Sequence, residues 1–468
     1  MRGPGEKPLG RCLAAAKLDN PSYEPVKVIT WPCGLDGLTG ASTTCGTVLD
    51  VEVLTGVYLI ATGSCGALSN NSCAKNTNQG EHGMKLIGSL STALIVASAV
   101  GSFAPAPSIA QAIEPTPFIL ASGLEGPRGL RFGPDGDLYV AEAGTGGTNS
   151  TIGQCRQVPG PPGGPGPDTG GLTARISKIG PNGKVTTVAS GFPSVTIGPG
   201  GVNGTIGVAD VVFLDGNLYA LIGGGGCSHG NPKSPSGIAK VDIKNGSWHL
   251  IADIGAWLKT HPSKYESADD FEPDGTLYSV IAHDGRLLTV EPNHGQVISV
   301  TKSGEIEQVI DISASEGHIV PTSIATRDGS LFVGNLNLFP IDPQWARILT
   351  ISKSDSDDFD NLPPGLEPAR GHRIVSSKAG FTTVVAVDFG PDGLLYVLEL
   401  SDGAGLPTPG LGKVVRVLHS GAIENVVTNL SVPTGMTFGP DGRLYVSNFG
   451  AAPAGAGQIL RFDIAPGW

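Results

Sequence analysis

The chain has 468 residues, a formal net charge of −12 and a pI near 5.2, and so lacks the basic surface that nucleic-acid phosphates require. The same charge excludes an acidic partner. With 70 Gly, 37 Pro, 6% aromatic and 15% charged residues, it is a turn-rich chain of many short strands, long enough to bury a large core.

Residues 1–83 carry five of the seven cysteines (Cys12, Cys33, Cys45, Cys65, Cys73) and no periodicity. They read either as a small cysteine-rich module or as upstream sequence translated from a start codon chosen too early. The second reading is preferred because residues 84–112 look like the start of an exported chain. Met84-Lys85 opens an apolar run from Leu86 to Val100, and Ala110-Gln111-Ala112 closes it. A positive start, an apolar core and a small-x-small exit are the parts of a secretory signal peptide. About 15 apolar residues fall short of the roughly 20 that a membrane span needs. Segment 84–112 is therefore expected to be a signal peptide cleaved after Ala112. The mature chain, 113–468, would then be secreted or periplasmic, with no stable membrane span.

From Gly129 onward one hairpin recurs. Its clearest copy runs from Met436 to Phe438 and from Leu444 to Val446, two apolar alternations joined by Gly439-Pro440-Asp441-Gly442. Pro sets the first corner, and Gly supplies the positive φ that closes the turn. The turn aspartates of the six copies are Asp135, Asp215, Asp284, Asp328, Asp392 and Asp441, spaced unevenly by 44 to 80 residues. The copy around Asp284 is the weakest. A second strand pair comes after each copy, as in Ala174 to Ala189 and Val414 to Val427. Four strands in each of six repeats predict an all-β, six-bladed β-propeller, and the missing Trp-Asp signature excludes a WD40 array. Phe118 to Ala121 resembles an outer fourth strand, while Gln458 to Asp463 is a third strand. The N-terminal strand is thus expected to complete the last blade and close the ring.

The long insertions, Gly144 to Leu172, Ile222 to Gly237, Leu336 to Trp345 and Ser401 to Gly412, all come after second strands. One end of the ring is therefore elaborated while the other carries tight turns, and function is expected on the elaborated end. Cys155 and Cys227 sit in two of these insertions in neighbouring blades, which predicts a disulfide in an exported protein. The run Val158 to Pro167 is too short and too irregular for collagen and reads as a polyproline-like loop.

Two sets of side chains mark the elaborated end. Four residues after the Leu that begins each second strand stand Glu142, Ile222, Glu291, Asn335, Glu399 and Asn448. These carboxylates and amides either bond exposed backbone where each blade splays or contact a ligand, and three such oxygens can hold a Ca²⁺-type divalent ion. Arg128, Asp210, Asp269 and Asp270, with Thr322, Thr382, Thr383 and Thr434, stand just before the first strands and are expected to ring the mouth of the central channel. The threonines read first as turn hydroxyls bonding backbone. Asn293-His294, next to Glu291, can join the set.

The segments Asp270-Phe-Glu-Pro-Asp-Gly275, Val290-Glu-Pro-Asn-His-Gly295, Gly317-His-Ile-Val-Pro-Thr322 and Phe438 to Gly450 resemble the ScyD/ScyE family of secreted six-bladed propellers. The resemblance covers roughly Thr116 to Asp463. It implies the fold and export but brings no catalytic motif. More distantly the repeats are similar to NHL and SMP-30-type propellers, which include binding modules and metal-dependent lactonases. There is no Gly-x-Ser-x-Gly elbow, His-Glu-x-x-His, phosphate loop, dinucleotide fingerprint or Cys-x-x-Cys-His. The expected function is that of an exported binding or accessory propeller, holding a small molecule or a protein on the elaborated end. The alternative is a metal-assisted hydrolase or lactonase whose carboxylate manages the proton. A quinone-dependent redox enzyme would need cofactor contacts that the sequence does not display.

Overall fold

A computed structural model describes residues 115–155, 168–198, 204–353 and 371–465. The extension 1–83, the signal-like segment 84–112 and the proline-rich run 158–167 lie outside these residues.

The chain opens with β1 (Phe118–Leu124). Blade 1 comes next, with β2 (Pro127–Phe132), β3 (Leu138–Glu142), the short β4 (Asn149–Ser150), β5 (Thr169–Ile179), β6 (Val185–Thr196) and the short β7 (Thr205–Ile206). Blade 2 is β8 (Val208–Leu214), β9 (Asn217–Ile222), β10 (Gly237–Val241) and β11 (Trp248–Asp253), and a one-turn helix α1 (Ile254–Leu258) leaves it. Blade 3 is β12 (Ser279–His283), β13 (Arg286–Glu291), β14 (Gln296–Val300) and β15 (Ile306–Asp311), then α2 (Ser313–Glu316). Blade 4 is β16 (Pro321–Arg327), β17 (Ser330–Asn335), β18 (Ala346–Lys353) and β19 (His372–Phe381). Blade 5 is β20 (Val384–Phe389), β21 (Leu395–Glu399), β22 (Gly412–Val417) and β23 (Ile423–Leu430). Blade 6 has only three strands of its own, β24 (Gly435–Phe438), β25 (Leu444–Asn448) and β26 (Gly457–Phe462). Its fourth is β1, antiparallel to β26 with Ile119 opposite Leu460. The predicted six-bladed ring and its closure by the N-terminal strand are both present.

The second strands explain why the ring holds. β3, β13, β21 and β25 are buried at almost every position and on both faces, because each lies between two neighbouring blades. Outer strands such as β15 keep polar residues facing out. Each fully buried Leu or Val on a second strand contributes about 1.5–3 kcal/mol relative to exposure.

The hairpin turns come in two kinds. In blades 2, 3 and 4 the aspartate and the glycine both take positive φ (Asp215 50°, Gly216 71°; Asp284 48°, Gly285 72°; Asp328 51°, Gly329 75°), which is the two-residue type I′ turn. In blades 1, 5 and 6 the turn is Gly-Pro-Asp-Gly, and only the last glycine is left-handed. Here the aspartate accepts a hydrogen bond from the tyrosine on the second strand of its own hairpin: Tyr139 to Asp135 at 2.9 Å, Tyr396 to Asp392 at 2.8 Å and Tyr445 to Asp441 at 2.9 Å. Those tyrosines also key the blades together. Edge-to-face pairs Phe132–Tyr445, Tyr139–Phe213 and Tyr396–Phe438, with Phe332–Phe389, have ring centroids 4.9–5.0 Å apart and span four of the six joints. At the two remaining joints the position of the phenylalanine is held by Ala282 and Thr326. These are the joints on either side of blade 3.

Elaboration at the insertion end does not come from second strands alone, contrary to the expectation from the insertion pattern. Residues 254–278, which lead into the first strand of blade 3, form a further long connection at that end. The sequence pattern hid it because the loop after α1, residues 259–278, is much longer than the one after α2, the corresponding helix that leaves blade 3.

Candidate functional site

The column after the second strands is built by one local rule. As a blade splays, the residue at the end of its second strand faces the backbone that leads into its first strand. Glu142 accepts the Glu125 N–H at 2.7 Å, Glu291 the Thr276 N–H at 2.9 Å and Asn448 the Ser431 N–H at 2.8 Å. Asn335 inverts the polarity: its amide donates to Ile319 O at 2.9 Å while its oxygen accepts from Arg347 N at 2.8 Å. These groups stay apart, one in each blade, and do not converge on the channel. Glu142 is further engaged by Arg175, whose Nε and Nη2 reach its two oxygens at 2.9 and 2.8 Å.

Glu399 follows the rule with the Thr382 N–H but is the least satisfied of the column. It is buried, its nearest cation is Lys413 at 3.6 Å, and its Oε2 has no hydrogen-bond partner. Burial pushes its carboxyl up to about 7, against the opposing pull of Lys413.

The residues that precede the first strands also divide. Asp269 is exposed at the surface. Arg128 donates to Thr205 O and lies 5.8 Å from the centre of the Tyr278 ring. Asp210 points into the channel wall, accepting Val280 N–H at 2.9 Å from blade 3, and a Cβ on Gly129 would stand 1.9 Å from its Oδ1. Glycine at 129 is therefore what lets the carboxylate fit. Below it Arg131 meets Asp388 at 3.7 Å, and Thr437 Oγ1 lies 3.4 Å from Arg131. Burial raises the carboxyls of both Asp210 and Asp388 despite Arg131 beside them. This channel cluster spans blades 1, 2, 3, 5 and 6 and ties the ring across its axis. The threonines bond backbone, but often that of a neighbour: Thr322 donates to Val384 O in blade 5 and Thr434 to Pro127 O in blade 1.

Chemistry concentrates at blade 3. The long connection brings Asp270, Glu272 and Asp274 against the loop after β9 and the turn after β13. His229 is buried, with Nδ1 2.7 Å from Gly225 O and Nε2 3.1 Å from Glu272 Oε2. Nδ1 donates to the Gly225 carbonyl, and the Nε2–Glu272 contact holds a proton between two groups whose pKa values are both raised, Glu272 by its burial. Burial alone would drive it neutral, yet the Glu272 bond and charge outweigh that and hold its pKa above the usual value. Asp274 takes the Ser228 N–H and hydroxyl, both at 2.7 Å, and Lys259 Nζ at 2.6 Å. Next to these, Glu291 accepts from Thr276 N, Asn293 N, His294 N and His294 Nδ1, the last at 2.9 Å. Burial would raise the Glu291 carboxyl, but His294 and these donors keep it below the usual range. Asp270 closes the group: His318 Nε2 lies 2.8 Å from its Oδ2, and Asn293 Nδ2 donates to its carbonyl at 2.9 Å.

Three imidazole–carboxylate pairs thus stand together, His229–Glu272, His294–Glu291 and His318–Asp270. Within the same group, Asn293 Oδ1, His318 Nδ1 and Thr276 Oγ1 are buried without a hydrogen-bond partner. Of the sequence-derived candidates, only Asp270 and Glu291 belong here, with the adjacent Asn293 and His294. His229, Glu272, Asp274 and His318 escaped because no local spacing links residues 43 and 48 apart. The available signal was the three segments Asp270 to Gly275, Val290 to Gly295 and Gly317 to Thr322, which converge at this place.

Cys155 and Cys227 form a disulfide, Cα atoms 6.0 Å apart, joining the insertions of blades 1 and 2. Cys227 begins the turn that carries His229. Among the described residues no group of three or more His, Cys, Asp or Glu is arranged to hold a metal ion. A divalent ion therefore finds no ready ligand set here, and no chemical step is assigned to one. Among the described residues no helix is long and apolar enough to cross a membrane.

No family model matches the chain, and neither does any curated protein. Solved structures are similar in part. A gluconolactonase from Xanthomonas campestris shares 11% identity, covering 75% of this chain and 89% of that one, with a TM-score of 0.43. Regucalcin, a calcium-binding protein of Agrobacterium tumefaciens, shares 13% over 75% and 94%, TM-score 0.43. The PQQ-bound aldose sugar dehydrogenase of Streptomyces coelicolor shares 13% over 75% and 98%, TM-score 0.43. Identities this low say nothing about the residues of the blade 3 site.

Proposed function

We propose that this propeller is exported and binds a small polar molecule on its insertion-bearing end, at the blade 3 cluster. The observation that carries the reading is the set of buried, unpartnered polar atoms, Asn293 Oδ1, His318 Nδ1 and Thr276 Oγ1, beside pairs that are otherwise saturated. An unmade buried hydrogen bond costs about 1–3 kcal/mol, and a ligand offering a hydroxyl or amide to these atoms recovers it. The pairs themselves hold the cradle: Glu291 and Asp270 fix His294, Asn293 and His318 in one orientation each.

A second reading, hydrolysis, rests on Glu399, whose free buried oxygen and raised carboxyl suit a proton donor at neutral pH. It lies in blade 5, away from the cluster, and the Glu142 and Glu291 carboxylates of the same column are occupied.

Thermal unfolding of the mature chain against a panel of sugars, lactones and amides tests both. A ligand at about 100 times its Kd should add roughly 2.7 kcal/mol of stability. That gain should vanish in Asn293→Ala and His318→Ala and survive in Glu399→Gln. Turnover of a lactone that is lost in Glu399→Gln would instead select hydrolysis. Metal analysis of the same sample tests the Ca²⁺ reading, and N-terminal sequencing of the natural protein should begin near Ile113 if the chain is exported as proposed.

A further inference from the structure

The turn end of the ring holds a cavity of about 390 Å³ between blades 4 and 5, near the lower end of the roughly 300–1,000 Å³ range of small-molecule pockets. Its apolar wall is Phe332, Ile348, Leu395 and Val417. Phe332, Leu395 and Val417 are only half-buried, so the cavity leaves apolar surface in contact with solvent. Every ionisable residue in the lining is basic: Arg327, Lys378 and His419. In a chain of net charge −12 this is a local reversal of sign.

The cations are held in place largely without carboxylates. Lys378 Nζ donates to Gly421 O at 2.6 Å, and no carboxylate among the described residues pairs with it. The Arg327 guanidinium lies 5.0 Å from the centre of the Phe389 ring, donates to Gly393 O, and among the described residues meets one carboxylate, the exposed Asp328 at 3.4 Å. Stacking on Phe389 and bonding to a carbonyl fix the direction of the guanidinium without using up its charge.

We infer that this cavity is a second ligand site, independent of the blade 3 cluster, and that it takes an amphipathic monoanion: an aliphatic tail against Phe332, Leu395 and Val417 and a carboxylate head between Lys378 and Arg327. The apolar wall provides burial of the tail, and the basic rim selects the charged head over a neutral one.

Decanoate and decanol are the probes, titrated calorimetrically into the mature protein. Decanoate should bind roughly tenfold more tightly than decanol at low salt, the preference shrinking as salt rises. Lys378→Met and Arg327→Met should each bring decanoate to within a fewfold of decanol. Val417→Trp, which fills the cavity, should abolish both, and Thr350→Trp serves the same purpose where the first variant does not fold. Equal binding of the two probes, decanoate binding unchanged by either tryptophan, or no binding of decanoate would overturn the inference. None of these outcomes bears on ligands of the blade 3 cluster, which Asn293→Ala reports separately.

Discussion

Blade 6 and blade 3 are copies of one hairpin and differ in almost everything built upon it. Blade 6 has the Gly-Pro-Asp-Gly turn, the Tyr445–Asp441 bond and a phenylalanine at its joint, and its column residue Asn448 accepts one backbone N–H. Blade 3 has the minimal Asp284-Gly285 turn, Leu288 in place of tyrosine and Ala282 in place of phenylalanine. Its column residue Glu291 accepts four donors and anchors a histidine. The blade with the fewest packing devices is the one around which the buried imidazole–carboxylate pairs gather. Regular aromatic packing needs the same residues in every copy, whereas a polar site needs particular residues in one; the repeat tolerates that exchange because each blade touches only its neighbours and the channel.

The comparison can be broken most severely at blade 6, which depends on a strand from the far end of the chain. Deleting Phe118–Leu124 exposes the edge of β26 and removes buried Ala121 and Leu124, and should cost on the order of 5 kcal/mol or more, enough to abolish cooperative unfolding of the ring. Calorimetry showing an unchanged transition would refute the closure.

At blade 3 the largest single effect should come from His229→Ala, which strands the Glu272 carboxylate without its partner inside the protein. About 3–5 kcal/mol is expected, with the double variant His229→Ala/Glu272→Met recovering much of it. Equal destabilisation of the single and double variants in urea unfolding would show that packing, not charge, fills that place.

Glu399 sharpens the contrast between members of one column through pH. Its carboxyl is raised from 4.5 to about 7, so the folded state favours the protonated form. The stability this contributes is complete below about pH 4.5 and is lost as pH rises to about 7, a change of about 3 kcal/mol. Glu291 has the opposite sign, since its lowered pKa makes its contribution fade as pH falls below the usual carboxylate range. Glu399→Gln should therefore match the wild type near pH 4.5 and exceed it by up to about 3 kcal/mol at pH 8. A difference independent of pH, measured by urea midpoints, would remove Glu399 from the titrating groups.

The smallest effects separate the two turn types. A Cβ on Gly439 would meet Asp441 Oδ1 at 2.5 Å and Tyr445 Cε2 at 2.7 Å, so Gly439→Ala should cost about 1–3 kcal/mol by crowding. Gly285 in blade 3 has open space around it but a φ of +72°, and Gly285→Ala should cost about 1–2 kcal/mol from backbone conformation alone. Replacing Tyr445 by a smaller residue should relieve part of the first, with Asp441 Oδ1 still in the way, and leave the second untouched.

Asp441-Gly442 and its relatives made the ring legible in the sequence, because turn chemistry and two-residue alternation act over a few neighbours and recur in six copies. The closing strand was legible for the same reason: the phase of the repeat at Phe118 and at Gln458 left one strand missing and one spare. The column ending in Asn448 was also visible as a pattern, but which oxygen meets which N–H depends on how far each blade splays, and that is set by its neighbours. Nothing local joins His229 to Glu272 or His318 to Asp270. Those pairs exist because residues 254–278 fold back over the end of blade 3 and bring separate loops into a space from which water is largely excluded, where each charge must find a partner. The basic cavity likewise belongs to no segment, since Arg327, Lys378 and His419 come from three strands and turns of two blades. Short-range conformational preference determined the strands, the turns and the number of blades; long-range burial of charge decided where the chemistry stands.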